Sequence, residues 1–303
     1  MNDFKFALRL LFKTPDFTVV AVLTLALGIG ANVAIFSALN SILLRPLPYK
    51  NPDRLTWVFA NSRQLGYERL PPNWANDLFS EIMERSPSID QWARLKGKTF
   101  ILQKPDGAEH LRGMRVSSHL FDMLGVQPKL GRTFLSEENQ LGRHRVVILS
   151  YDCWQSRFGG DPAVLNKAIQ LIDTEVGDRT GQPHDTLAAQ TYTIIGVMPP
   201  RWQFPMGATP EYASFFSTGT EIWEPESLTP GEKQQRAVLD LILARLKPAV
   251  THQQAKAEAE LLLQRLRARS ESVDGIELLP LRRQVEGNAR SVLPILFAAT
   301  SGL

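Results

Sequence analysis

FTVVAVLTLALGIGANVAIFSALNSILL, residues Phe17–Leu44, is a run of 28 residues without a charged side chain, bounded by Asp16 and Arg45. A bilayer core of about 30 Å needs about 20 apolar residues in a helix, and at about 1.5 Å per residue this run reaches about 42 Å. The alternative is a buried core helix, but such helices rarely exceed about 20 residues and usually carry a polar stripe. The run therefore predicts a transmembrane helix over residues 17–44.

The same run is too long for a cleaved signal peptide, whose apolar region spans about 7–15 residues. We therefore expect an uncleaved anchor. Three basic residues lie near each end of the run, so the positive-inside rule does not set its orientation. They are Lys5, Arg9 and Lys13 before it, and Arg45, Lys50 and Arg54 after it. Because a long domain that follows can translocate whatever its charge, we expect the amino terminus on the cytoplasmic side.

Residues 1–16 are amphipathic. Phe4, Leu8 and Leu11 share a helical face, while the three basic residues favour the polar side. This pattern predicts a cytoplasmic elbow helix that lies on the membrane surface, with Thr14-Pro15-Asp16 supplying the break before the span. A solvated tail with three basic residues is the alternative.

Small residues recur every four positions within the apolar run, at Ala26, Gly30, Ala34 and Ala38. At this spacing they line one helical face, where the backbone of another helix can approach closely. The stripe predicts that this helix packs against other helices rather than acting as a lone anchor. The alternative is that small residues are simply common in membrane helices.

Residues 45–290 predict a soluble α+β domain, since strands and helices are mixed without strict alternation. Prolines in residues 45–55 end the first helix. The predicted strands are Leu55–Phe59, Phe100–Gln103, Ala108–Val116, Arg145–Leu149, Ala168–Ile172, Tyr192–Val197, Ala237–Leu246 and Ile276–Leu281. The predicted helices are Asn73–Arg85, Ser117–Leu124 with a serine cap, Tyr151–Phe158 and Thr251–Arg269. The polar stretch 173–190 predicts an exposed loop.

The last residues, Ser291–Leu303, form an uncharged stretch that is too short to span a bilayer but is typical of the start of a second membrane helix. A helix that stopped half-way across would leave carbonyl groups unsatisfied in hydrocarbon. We therefore expect the chain to be a fragment or a truncated product. A buried or interfacial helix at the carboxyl terminus is the alternative.

The composition and motifs argue against several functions. With 34 basic and 31 acidic residues the net charge is only +3, which indicates no nucleic-acid partner. The one cysteine, Cys153, permits no internal disulfide and lies among apolar neighbours, which favours a small buried hydrophobe over a nucleophile. No phosphate-binding loop, H-E-x-x-H, C-x-x-C or G-x-S-x-G motif occurs, and the five histidines show no ligand spacing. We predict no enzyme, no cofactor and no metal site, although a catalytic pair assembled by the fold stays open.

Several blocks together resemble one family. LTLALGIGANVAIFSALNSILLRPLPYKNPDRL (residues 23–55) is similar to the first membrane helix and its exit in MacB-type, FtsX-like ABC transporter permeases, above all in their duplicated orphan branch. Four later blocks resemble the family's MacB-like periplasmic core domain in their order. They are VSSHLFDMLGVQPKLGRTF (116–134), VVILSYDCWQSRFGGDPAVLNKAIQL (146–171), YTIIGVMPP (192–200) and LARLKPAVTHQQAKAEAELLLQRL (243–266).

This resemblance implies a non-catalytic permease subunit of the cell's inner membrane, with residues 45–290 as the periplasmic core domain. It implies an ABC ATPase subunit as the partner that hydrolyses ATP, other permease helices or a second permease copy, the lipid bilayer, and a possible periplasmic partner in efflux. Two departures stand out. The loop between residues 172 and 192 is longer than the family's tight hairpin, and the family continues into three more membrane helices with a cytoplasmic contact for the ATPase.

A second hypothesis is a membrane-anchored extracytoplasmic binding or scaffold module without transport activity, which fits one complete span. A third hypothesis, an anchored enzyme, has no motif in its favour.

Overall fold

The computed structural model describes residues 15–39, 47–63, 67–70, 76–105, 107–174, 188–200, 202, 204, 219–227, 240–266 and 273–283. The chain divides into two compact units, one formed by Met1–Pro46 with Val285–Leu303 and one formed by Leu47–Gln284. The predicted elbow before Pro15, the predicted helix start at Ser291–Leu303 and most of the predicted 173–190 loop lie outside the described residues.

In the first unit, helix α1 spans Pro15–Leu39. Proline is well suited to the first helical position because a backbone N–H at that position would have no partner within the helix. The negative charge of Asp16 in the first turn complements the helix dipole. The described apolar side chains of α1 are exposed, among them Val20, Leu25 and Leu27. Among the residues described, no helix is long and apolar enough to count as a membrane span.

The second unit contains the remaining described elements. Its helices are α2 (Asn76–Arg85), α3 (Leu120–Leu124), α4 (Tyr151–Phe158) and α5 (His252–Leu266). Its strands are β1 (Leu55–Ser62), β2 (Tyr67–Leu70), β3 (Ile89–Lys104), β4 (Gly107–Val116), β5 (Leu130–Gly131), β6 (Val146–Leu149), β7 (Ala168–Thr174), β8 (Gln190–Val197), β9 (Ile222–Pro225), β10 (Asp240–Leu246) and β11 (Gly275–Pro280). This mixture confirms the predicted α+β class.

One half of this unit is a four-stranded antiparallel sheet in the order β11-β1-β10-β3. Helices α2 and α5 connect β1 to β3 and β10 to β11, which gives the β-α-β-β-α-β arrangement of the ferredoxin-like fold. We call this the split-βαβ half. Both helices cover one face of the sheet, where Phe79, Ile82, Ala259 and Leu263 are buried together.

The other half is inserted between β3 and β10 and closes on itself. Going round, β3 pairs with β4, β4 with β9, β9 with β6, β6 with β8, β8 with β7, and β7 with β3 again. We call this ring of strands the barrel half. The first part of β3 pairs with β10 and the second part with β7, so a single strand belongs to both halves.

A shared apolar layer joins the two halves. The sheet face that α2 and α5 leave uncovered carries Trp57, Phe59 and Leu243, which are buried in one core with Phe121 of α3 and Trp223 of β9. The Phe121 and Trp223 rings meet edge to face with centroids 6.0 Å apart. Strand β1 is therefore buried on both faces, which explains its nearly continuous apolar sequence.

Helices with clear local signals were predicted accurately. Helix α4 has the predicted bounds: the Ser150 hydroxyl accepts the Cys153 N–H at its start, and Gly159 ends it at φ 65°. Helix α5 begins after Thr251, whose hydroxyl accepts the Gln254 N–H at 3.2 Å.

Other local predictions were wrong. Strand β3 begins at Ile89 rather than at the predicted Phe100. The prediction missed its first part because Lys96, Gly97 and Lys98 interrupt the apolar pattern of the strand. The predicted serine cap of α3 is absent, because the helix begins at Leu120 and its cap residue His119 makes no side-chain cap bond. Strands β2, β5 and β9 were not predicted.

Candidate functional site

The predicted helix-contact stripe lies on α1. Ala26 and Gly30 are exposed, and a Cβ built on Gly30 would meet nothing within 4 Å. The side chains of Ala34 and Ala38 lie outside the description. The role of the stripe in helix contacts stays a prediction.

The described domain also contains a cluster of buried charges that sequence reasoning missed. It consists of Lys98 on β3, Arg115 on β4, Asp173 on β7, Tyr192 on β8 and Glu224 on β9. We call these five residues the ionic core. They come from five of the six strands of the barrel half, and the side chains of Lys98 and Glu224 are 0% exposed.

Glu224 is the acceptor at the centre of the ionic core. Its Oε1 accepts a hydrogen bond from Lys98 Nζ at 2.9 Å and another from Arg115 Nε at 2.7 Å. Its Oε2 accepts the Tyr192 hydroxyl at 3.2 Å. Lys98 Nζ also donates to Asp173 Oδ2, which lies 3.6 Å from Arg115 Nη2. Two cations thus balance two carboxylates, which is the condition under which buried charges are tolerated.

The pKa values of the two carboxylates are shifted in opposite directions. Burial alone would raise the pKa of Glu224, but the charges and hydrogen bonds of Lys98 and Arg115 outweigh it and hold that pKa well below its usual range. For Asp173, burial raises the pKa and the neighbouring Glu224 adds to the increase, against the attraction of Lys98 and Arg115. Asp173 Oδ1 is buried without a hydrogen-bond partner. Glu224 is therefore firmly ionised, whereas Asp173 is only partly compensated.

Strand alternation explains how the ionic core forms. Lys98, Phe100 and Leu102 alternate along β3 and lie on one face, so the same pattern that buries the two apolar residues also buries the lysine. Opposite them on β4, Gly113 leaves room for the Phe100 ring, because a Cβ there would lie 2.2 Å from Phe100 Cε2. The barrel interior therefore has an apolar part around Phe100 and a charged part around Glu224.

The ionic core is suited to holding strands together rather than to catalysis. Each cation is bound by carboxylates, and Glu224 already accepts three hydrogen bonds. A sequence signal for it existed, namely a lysine in phase with buried apolar residues on β3. Its partners lie up to 126 residues away, so their meeting could not be read from local spacing.

The other residues considered for chemistry have structural roles. Cys153 is buried, and burial together with the charge of Glu221 raises the pKa of its thiol to about 12, so it is protonated at neutral pH. His119 Nε2 lies 2.7 Å from the Trp92 carbonyl oxygen. Within the described ranges, no group of three His, Cys, Asp or Glu residues is placed to hold a metal ion.

Comparison with known proteins defines the class to which this fold belongs. The family described as MacB-like periplasmic core domain matches residues 18–262. The chain therefore belongs to that family, which confirms the resemblance found in the sequence. It carries the MacB-like periplasmic domain of the ABC-type transporter permease family.

Two solved structures are similar to this chain. The periplasmic region of MacB from Actinobacillus actinomycetemcomitans superposes with a TM-score of 0.51 at 14% identity, over 83% of this chain and 97% of that one. At this identity the likeness shows the fold alone. The extracellular domain of the noncanonic ABC-type transporter YknZ from Gram-positive bacteria gives a TM-score of 0.48 at 13% identity, over 74% of this chain and 99% of that one. A search among curated proteins found no match.

Proposed function

We propose that this chain supplies the membrane-attached extracytoplasmic part of an ABC transporter permease, which couples ATP hydrolysis by a partner ATPase to export. The observation that carries the proposal is the family match over residues 18–262, which includes most of α1 together with the domain that follows it. A permease of this kind does no covalent chemistry itself, in keeping with an ionic core whose charges pair with one another.

Helix α1 is the proposed membrane attachment. Its 25 residues extend about 38 Å at about 1.5 Å per residue, and no charged residue follows Asp16 until Arg45. Its described valine, leucine and isoleucine side chains are exposed, a surface suited to lipid or to neighbouring helices. In this proposal α1 and the residues up to Leu44 cross the inner membrane, and residues 47–284 lie outside the cytoplasm.

The location can be tested by cysteine labelling in intact cells. In a Cys153→Ala background, Leu141→Cys places a thiol at an exposed position of the barrel half, and Lys5→Cys places one before the span. A membrane-impermeant maleimide should label residue 141 in spheroplasts, but residue 5 only after permeabilisation. Labelling of residue 5 and protection of residue 141 in intact spheroplasts would contradict the proposed orientation.

The coupling can be tested by reconstituting the proposed permease with its partner ATPase. Replacing residues 47–284 by a glycine-serine linker should leave membrane insertion intact and abolish both export and the stimulation of ATP hydrolysis. If both activities survived the replacement, the proposal would be wrong. Loss of binding to an external partner with ATPase stimulation unchanged would instead favour the anchored scaffold.

A further inference from the structure

The segment Leu47–Arg54, here called the exit segment, is the first part of the domain unit and leads into β1. It lies against the end of α3, where Lys50 N–H donates to the Leu124 carbonyl at 2.9 Å. Asn51 then adopts the left-handed conformation at φ 46°, which turns the chain into a short 3₁₀ turn over Pro52–Arg54. These contacts hold the backbone of the exit segment in one particular path.

Arg245 on β10 binds both the exit segment and the end of α3. It is 4% exposed, and its guanidinium donates from Nη2 to the Met123 carbonyl and from Nη1 to the Asn51 carbonyl at 3.3 Å. No carboxylate among the described residues forms an ion pair with it. Burial, with Arg54 adding and Asp90 opposing, lowers the pKa of the guanidinium. A costly buried charge is thus used to join α3 to the exit segment.

Two neighbouring arginines make further contacts that hold the exit segment in place. Arg54 Nε donates to the Leu246 carbonyl at 2.6 Å, and its Nη2 pairs with Asp90 at 2.9 Å. Arg282, which follows β11, lies 3.4 Å from Asp53. Because Thr56 of β1 is opposite Pro280 of β11, the chain enters and leaves the domain at adjacent positions.

We infer that Arg245 is a positioning residue that makes the exit segment, α3 and β10 one rigid piece. When α1 moves, it pulls on the exit segment. Because the exit segment stays bound to α3 and β10, the whole domain then moves with it. This inference rests on the proposed coupling of ATP hydrolysis to movement of the domain, and it names the joint through which that movement passes.

The first test uses two glycines that end helices in the same conformation. A Cβ on Gly125 (φ 71°) would lie 2.7 Å from Lys50 Cβ, whereas a Cβ on Gly159 (φ 65°) would meet nothing within 4 Å. Gly125→Ala and Gly159→Ala therefore carry similar backbone strain, but only the first displaces the exit segment. In the full permease with its ATPase, Gly125→Ala should reduce transport per ATP hydrolysed by roughly tenfold. Gly159→Ala should leave this ratio at the wild-type value.

The second test removes the guanidinium and then restores a cation at the same position. Arg245→Met should lower the same ratio, whereas Arg265→Met on the exposed side of α5 should not. Arg245→Lys keeps a positive charge and N–H donors near the Asn51 and Met123 carbonyls, so it should recover part of the lost ratio. Thermal unfolding of the variants identifies a general folding defect, because a loss of folded protein alone would lower export and ATP hydrolysis together and leave their ratio unchanged.

The outcomes separate the two proposals. Wild-type coupling in both Gly125→Ala and Arg245→Met would overturn the role of Arg245 while leaving the permease proposal intact. An Arg245→Met defect that is equally large in Arg245→Lys would also overturn it. If wild-type protein neither stimulated the ATPase nor supported export, the permease proposal itself would fail.

Discussion

Glu224 and Asp173 share Lys98 and Arg115, yet the barrel surrounds them differently. Glu224 is fully buried and accepts hydrogen bonds from three side chains, including the Tyr192 hydroxyl. Asp173 lies nearer the surface, at 19% side-chain exposure, with one oxygen unpartnered. The two residues should therefore differ sharply in what their removal costs.

Glu224→Gln should lower the free energy of unfolding by about 3–5 kcal/mol, because it leaves two buried cations without their central carboxylate. Asp173→Asn should lower it less, since burial already opposes the charge of Asp173 and both cations keep their hydrogen bonds to Glu224. Urea unfolding of the two variants beside wild type measures both values. Similar losses in the two variants would show that Glu224 is not the centre of the ionic core.

His144 and His252 should make the fold sensitive to mild acid. Burial lowers the pKa of both imidazoles below their ordinary value of 6.5; Arg115 and Arg145 lower that of His144 further, and Arg283 that of His252. Glu224 and the Gln140 backbone oppose the shift at His144, as the Leu55 backbone and Asp53 do at His252. Well above pH 6.5 both histidines are neutral in the folded and the unfolded protein, so their titration does not reduce the free energy of unfolding. As the pH falls below about 6.5, the unfolded chain binds protons before the folded protein does, and the free energy of unfolding decreases.

The expected result is a melting temperature that falls as the pH drops from about 7.5 to about 5.5, and falls less in the His144→Gln, His252→Gln double variant. Thermal unfolding followed by circular dichroism at several pH values measures both slopes. Equal slopes for wild type and the double variant would rule out these histidines as the source.

At the scale of elements, α1 has one glycine on the helix-contact stripe and another on the opposite face, so the two positions can be compared directly. Gly30 lies on the stripe with Ala26, while Gly28 lies on the opposite helical face, about 200° away from Ala26. A Cβ at either glycine would meet nothing within 4 Å. The same substitution at the two positions therefore tests one face against the other.

In the proposed membrane bundle, Gly30→Ile should weaken association of α1 with partner helices by roughly tenfold, because the branched side chain keeps a partner backbone at a distance. Gly28→Ile should have little effect. Site-directed cross-linking of α1 in the full permease measures the association. Equal effects at the two positions would mean that the small residues define no contact face.

At the scale of the whole molecule, the two halves depend on each other through the layer around Trp57 and Trp223. Lys96 on β3 lies opposite Asp240 on β10, so an Asn-Gly turn can join these two positions and delete the barrel half from a protein of residues 47–284 that lacks the apolar α1. The remaining split-βαβ half would expose Trp57, Phe59 and Leu243.

This shortened protein should associate and bind a hydrophobic dye, since an exposed apolar sheet face of this size is prone to aggregation. Changing Trp57, Phe59 and Leu243 to threonine in the same protein should restore a monomer. Size-exclusion chromatography and dye fluorescence provide the measurements. A dye-negative monomer without the threonine changes would show that the split-βαβ half is self-sufficient.

Much of the local structure could be predicted, and the reasons are specific. Ser150 and Gly159 mark the ends of α4 because caps act within a few residues, and the apolar run of β6 shows directly that this strand is buried. The start of β3 was missed because Lys96, Gly97 and Lys98 resemble a turn locally, although pairing with β4, and of Lys96 with β10 as well, makes them strand residues. The ionic core was missed for the same reason.

The sequence by itself determined the uncharged run of α1, the α+β class and the family, because these depend on composition, periodicity and the order of blocks along the chain. Only the tertiary structure decided that β3 belongs to two halves, that Lys98 meets Glu224, and that Arg245 holds the Asn51 and Met123 carbonyls. These contacts join residues that are distant in the chain, and their free energy depends on burial and distance, which exist only once the strands have closed.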